Sequence, residues 1–191
     1  MTLPRLRSDP AERDQLQRAR GLVLLDQGRI RAWERLLFVE CGDGWVVEEA
    51  WRRARRGYAC GVDRSAKLVA RANALRAVPG ALEFSTWDGL RLPYRSGSFE
   101  HVMSTFAMDP MDPDGDPAVT LGEMCRVLQP GGEVELLSLP EVAASLVVML
   151  RSAGFHEAAE AGRCEINLES GVYAAATLVR ARSPVATCSL A

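Results

Sequence analysis

Apolar positions along this chain fall into short unbroken runs, which alternate with stretches whose apolar residues recur at helical spacing. Leu36-Leu37-Phe38-Val39 is such a run, and it predicts a strand buried on both faces. It stops at Cys41-Gly42-Asp43-Gly44. Beyond it the pattern predicts helix over 46–56, strand over 58–62, helix over 65–78 and strand over 81–86. Strand 99–104, helix 117–128, strand 133–139 and helix 141–153 follow. Strands alternating with helices of this length predict βαβ units and a parallel sheet. Upstream, Asp9-Pro10-x-Glu12 carries an N-cap acid, a proline for the first helical position and a capping-box glutamate. That helix should reach Leu25, break near Gly28 and resume through Ile30 and Trp33 into the first strand.

The carboxy-terminal part reads differently. Stretches 155–161 and 163–168 look extended, Glu169-Ser170-Gly171 is a turn, and 172–179 is apolar and β-branched. The expected fold is therefore α/β and doubly wound, a mostly parallel seven-stranded sheet with a C-terminal antiparallel hairpin. One domain over 1–182 is expected, with N-terminal helices over 9–35, a nucleotide-binding core over 36–139, a helix and hairpin over 141–180, and a loose tail over 183–191. Asp116-Pro117 repeats the N-cap-plus-proline start, and Gln129-Pro130-Gly131-Gly132 should end that helix and turn the chain into the fifth strand.

Composition narrows the partners. A net charge of −2 gives no bulk attraction to nucleic acid. Lys67 is the only lysine, and Arg52, Arg53, Arg55 and Arg56 read as a solvated helix face. The cysteines at 41, 60, 125, 164 and 188 form no Cys-x-x-Cys pair, and with His101 and His156 alone they make no zinc set, so no metal is expected. Cys41, Cys60 and Cys125 lie in apolar contexts and read as inert thiols. The start of the chain, with Arg5, Arg7, Asp9 and Glu12, lacks a signal-type apolar core, and no run has membrane-spanning length. The expectation is a reduced, cytoplasmic protein without a membrane partner.

The chemistry gathers at strand ends. A Gly-x-Gly turn after the first strand, and an acid, Asp63, closing the second, form the skeleton of a nucleotide-binding half. Gly44 and Asp63 lie nineteen residues apart, near the interval of about 20 that such units use. A dinucleotide-binding turn would want a third glycine at position 47, where Val47 stands.

These residues also resemble a known family. Cys41-Gly42-Asp43-Gly44 and Gly61-Val62-Asp63-Arg64-Ser65 are similar to the first two motifs of class I S-adenosylmethionine-dependent methyltransferases of the small type 11 group, which includes quinone-biosynthesis enzymes. Trp87-Asp88-Gly89-Leu90-Arg91-Leu92-Pro93-Tyr94 with Ser98-Phe99-Glu100-His101-Val102 resembles the third and fourth segments. Glu123-Met124-Cys125-Arg126-Val127-Leu128-Gln129-Pro130-Gly131-Gly132 is the most specific match, and the similarity covers about 36–139. The resemblance implies a Rossmann-like fold, S-adenosylmethionine as cofactor and methyl transfer to a small-molecule acceptor. It implies a cofactor set of Glu40, Gly42, Gly44, Asp63, Arg64, Trp87, Asp88, Gly89 and Ser104. In that set Asp63 takes the ribose hydroxyls, Asp88 accepts from the adenine amino group, and the Gly89 backbone with Arg64 or Trp87 flanks the ring. Asp63 as a helix-capping acid and Trp87 as core packing are the rival readings.

The first motif departs from the pattern. With Cys41 to Gly44 as its cysteine-glycine-x-glycine, Phe38 stands in place of the acid and Glu40 in place of the first glycine. In the other register, shifted by two, Glu40 is the acid and Val46 replaces the last glycine. Either way a glycine is missing, which implies weakened or reshaped cofactor binding and leaves a noncatalytic methyltransferase-like binding or assembly partner as the alternative. For catalysis, Asp109 is the candidate base, in a loop with Asp112, Asp114 and Asp116 that otherwise reads as a solvated turn. His101 inside its strand reads as packing, and His156 is ambiguous. Leu139-Pro140 passes directly into a helix, so the N-terminal helix is the only lid material. An open site, or one completed by a second copy or a partner subunit, follows.

Overall fold

The computed structural model describes residues 10–105, 116–167 and 173–185. Its elements run α1 (Pro10–Gln27), β1 (Arg35–Val39), α2 (Trp45–Arg53), β2 (Tyr58–Asp63), α3 (Ala66–Arg76) and β3 (Leu82–Thr86). They continue with β4 (Phe99–Ser104), α4 (Pro117–Val127), β5 (Leu128–Ser138), α5 (Pro140–Ser152), β6 (His156–Asn167) and β7 (Tyr173–Arg182). The seven strands form one sheet in the order β3-β2-β1-β4-β5-β7-β6. β3, β2, β1, β4 and β5 are parallel, while β7 runs antiparallel to both β5 and β6. This is the Rossmann-like methyltransferase fold expected, hairpin included.

β1 pairs with β2 on one side and β4 on the other, so the strand order reverses there. Open α/β sheets bind ligands at such a point, beyond the carboxyl ends of the strands. Both faces of the sheet are covered. Leu37 and Val39 of β1 join a core with Leu121, Met124, Leu146 and Leu150 of α4 and α5. Leu36 and Phe38 face the opposite core with Leu24, Val47, Ala50 and Val69 of α1, α2 and α3. A strand buried on both sides needs apolar residues at every position, hence the unbroken run.

Local chemistry sets the element ends. The Asp116 side chain accepts from Ala118 N–H, as the aspartate-proline start predicts. Ser65 caps α3, with Oγ accepting from Leu68 N–H. α2 ends at Arg53, short of the expected 56, because Arg55 and Arg56 adopt positive φ of 53° and 61° and Arg56 N–H turns back to Trp51 O. The arginines of α2 do form a solvated face: Arg52 reaches Glu48, and Arg53 reaches Glu49 and Asp26.

Four further expectations need correction. The helix expected to resume through Ile30 and Trp33 does not: α1 ends at Gln27 and no helix lies between it and β1. Gln129-Pro130-Gly131-Gly132 belongs to β5, which begins at Leu128 and carries a bulge between the pairs Phe99↔Leu128 and His101↔Glu133. The extended stretches 155–161 and 163–168 are a single strand, kept continuous by pairing with β7 through two register shifts. Ser183, expected to begin a loose tail, is buried, with N–H bonded to Gly132 O and Oγ to Gln129 O. The Asp9 cap, the turn at 169–171 and residues 186–191 lie outside the described residues. No helix among the described residues is long and apolar enough to cross a membrane.

Candidate cofactor site

Beyond β1 the chain takes left-handed conformations at every second residue: φ is 61° at Glu40, 59° at Gly42 and 78° at Gly44. This alternation follows the glycine-x-glycine-x-glycine rhythm of the first register, with Glu40 in a conformation that glycine adopts without strain. Packing adds to this at Gly44, where a Cβ would meet a rigid ring, whereas at Gly42 it would meet only the end of a flexible side chain. A Cβ on Gly44 would stand 2.5 Å from Phe84 Cε1, and one on Gly42 would stand 2.5 Å from Gln17 Nε2. Gln17 belongs to α1, which crosses the turn here, with Gly21 against Val46 and Trp45. Arg18 on the same helix stacks over the Trp45 ring at 5.4 Å and lies 3.8 Å from Asp43.

Asp63 closes β2 directly beside this turn. Its Oδ2 accepts from Gly42 N–H at 2.8 Å and its Oδ1 from Ser65 N–H at 2.9 Å. The carboxylate is thereby fixed at the strand end and ties the glycine turn to the start of α3. Each oxygen keeps a further acceptor site, as a pair of ribose hydroxyls would require. Arg64 extends from the same strand end. Its Nε lies 3.6 Å from Glu40 Oε1, and its Cδ packs 3.3 Å from where a Cβ on Gly89 would be. Glu40, Arg64 and Gly89 therefore meet across the ends of β1, β2 and β3.

Asp88 is exposed, and its Oδ1 accepts from Leu90 N–H at 2.8 Å and Arg91 N–H at 2.9 Å. The Arg91 and Leu90 bonds hold its carboxyl below the usual range, so it stays ionised at neutral pH. Trp87 is buried among Leu37, Val62 and Leu92, and its indole Nε1 has no hydrogen-bond partner among the described residues. This burial is what the core-packing reading expects. Ser104 closes β4 and Thr105 follows it, both buried. Asp109, with Asp112 and Asp114, lies outside the described residues.

The Glu123 to Gly132 segment acts on this edge from a distance. Glu123 Oε2 accepts from Leu92 N–H, and the Arg126 guanidinium donates to Glu123 and to the carbonyls of Leu92 and Tyr94. Together they clamp the loop that follows Asp88 onto α4. Arg126 comes first among the causes that hold Glu123 below the usual carboxylate range.

The pattern of apolar runs gave no sign of two features. Gln17 over the glycine turn is one. The other is a buried ionic cluster under the 28–34 segment, where His101 Nε2 meets Glu135 Oε2 at 3.1 Å. Glu135 also accepts from Arg29 N–H at 3.2 Å and from Arg180 Nε at 2.6 Å. Glu34 lies 3.6 Å from His101 Nδ1, beyond hydrogen-bond reach but within attraction. The available signal was polar residues at inward positions of apolar strands, Glu133, Glu135 and Arg180 among them. His101 is thus packed, as expected, but as one member of an ion network. His156 is exposed at the start of β6. Burial raises the Cys41 and Cys60 thiols above their ordinary values, as inert thiols require.

A family model described as a methyltransferase domain matches residues 37–136. Among curated relatives, the probable methyltransferase ltbC of Aspergillus luteorubrus is 30% identical over 133 residues, 65% of this chain and 47% of that protein. The demethylmenaquinone methyltransferase of Deinococcus radiodurans is 35% identical over 116 residues, 59% of this chain and 46% of that one. The chain thus spans about half the length of the curated relatives it matches. In structure, the methyltransferase chain of a Haloferax volcanii complex with the Trm112 methyltransferase activator superposes with a TM-score of 0.71 at 18% identity, over 90% of this chain and 92% of that one. The [4+2]-cyclase SpnF superposes at 0.63 with 21% identity, over 88% and 81%. The shared architecture therefore fixes the fold and leaves the reaction to the site.

Proposed function

This chain belongs to the type 11 methyltransferase-domain family, and on that premise we propose that it transfers a methyl group from S-adenosylmethionine to a small-molecule acceptor. The observation that carries the reading is the Asp63 carboxylate, held at the end of β2 by Gly42 N–H and Ser65 N–H beside a left-handed glycine turn. These residues fit an adenosine. Asp63 would take the ribose hydroxyls, the exposed Asp88 would accept from the adenine amino group, and Arg64 and Gly89 would flank the ring. Gly42, Gly44, Glu40 and Ser104 would border the remainder at the ends of β1 and β4. When bound, the cofactor supplies an electrophilic sulfonium methyl. Positioning alone can serve a reactive acceptor, and Asp109 is the base for one that must lose a proton.

Calorimetric titration with S-adenosylmethionine and S-adenosylhomocysteine tests this. Micromolar binding that disappears in Asp63→Ala is the expected result. No heat at millimolar ligand would end the enzymatic reading. It would favour the second one, a noncatalytic binding or assembly partner, for which Glu40 in the glycine place and Gln17 pressed on Gly42 both speak. The activator complex of the Haloferax neighbour suggests a partner subunit as one form of that role, and a homodimer is another.

A further inference from the structure

We propose that Glu40 makes the cleft charge-selective, so that it holds the sulfonium S-adenosylmethionine in preference to the uncharged thioether S-adenosylhomocysteine. The proposal rests on reading the cleft as a site for that cofactor.

The topology supplies the geometry. Strands β3, β2, β1 and β4 are neighbours in that order, so their carboxyl ends set Asp88, Asp63, Glu40 and Ser104 along one edge. A ligand with adenine at the β3 end and ribose at the β2 end carries its sulfur, one carbon beyond the ribose, on toward β1. Glu40 stands there. Its side chain leans back toward the ribose end, with Oε1 3.6 Å from Arg64 Nε, and is 33% exposed. The Glu40 carboxylate thus stands beside the Arg64 guanidinium, and the Asp63 carboxylate closes the neighbouring strand.

Both groups of the Glu40–Arg64 pair are partly exposed, so the carboxylate lies within reach of a ligand in the cleft. The turn itself has no need of the carboxylate, since φ at Glu40 is 61°, a value glycine meets without strain. What the side chain adds there is charge. A carboxylate attracts a sulfonium and is indifferent to a thioether, while its bulk crowds both ligands alike. The ratio of the two affinities therefore isolates the charge from the crowding.

The test is calorimetric titration of the wild-type chain, Glu40→Gln and Glu40→Gly with both ligands. The wild type should bind S-adenosylmethionine about three- to tenfold more tightly than S-adenosylhomocysteine, the scale of one partly exposed charge interaction, and salt should shrink the ratio. Both substitutions should bring the ratio toward unity, whatever they do to absolute affinity. A ratio unchanged in Glu40→Gln overturns the proposal and leaves the cofactor reading standing. A wild-type chain that binds neither ligand overturns both.

Discussion

Glu40 carries the conformational cost of a left-handed backbone at a non-glycine residue. A left-handed non-glycine residue is disfavoured by about 1–2 kcal/mol. Glu40→Gly should therefore raise the melting temperature by about 2–4 °C per kcal/mol recovered, measured without ligand. Asp63 is the opposite case. Removing its carboxylate strands Gly42 N–H and Ser65 N–H, so Asp63→Ala should cost about 1–3 kcal/mol in chemical denaturation, in addition to its effect on ligand. Gly44→Ala should be worse than either change, because φ is 78° and the new Cβ meets the Phe84 ring. These positions show what was legible at this scale. The glycines and Asp63 are conspicuous in sequence because few residue types can do their work. Gln17 is not, since nothing local marks a glutamine that will lie across a distant turn.

Among the elements, the Glu123 to Gly132 segment was legible as a family mark but not as a device. Its role is the clamp of Arg126 and Glu123 on the Leu92 and Tyr94 backbone. Arg126→Ala should lower stability by about 2 kcal/mol and speed amide exchange in the 88–94 loop, while α5 and β7 keep their protection. Pro130-Gly131-Gly132 was read as a turn because proline and glycine usually break structure. It lies within a strand instead, in the bulge between the pairs Phe99↔Leu128 and His101↔Glu133, where Gly132 O accepts from Ser183 N–H. No local rule could foresee those partners. Helix starts were the most legible features, because a capping side chain and the backbone it satisfies are close in sequence.

For the whole molecule, the buried cluster ties α1, through the segment that follows it, to β4, β5 and β7. Burial alone would lower the pKa of His101, but Glu135 and, at longer range, Glu34 push it up to about 9. Burial likewise opposes ionisation of Glu34 and Glu135, yet His101 and the arginines beside them hold both carboxyls below their ordinary value. The signs follow. His101 has a folded pKa above its unfolded one, so its contribution is complete below pH about 6.5 and is lost as pH rises through about 9. The two glutamates contribute above pH about 4.5 and lose that contribution as pH falls. Melting temperature should therefore pass over a plateau near neutral pH and decline on both sides, and His101→Gln should remove the alkaline decline.

By itself the sequence determined the alternation of strands and helices, the doubly wound class, the glycine turn and the acid that follows it. Those features depend on periodicity, caps and residue types whose reasons are local. Tertiary structure decided the rest: the order β3-β2-β1-β4-β5-β7-β6, the absorption of a proline-glycine-glycine step into β5, Trp87 in the core, and α1 across the glycine turn. It also decided that Glu40 would occupy the left-handed place of a glycine and face Arg64. Contacts between residues far apart in sequence set each of these outcomes, and hydrophobic burial, which drives the collapse that brings them together, is non-directional and leaves no mark on either residue alone.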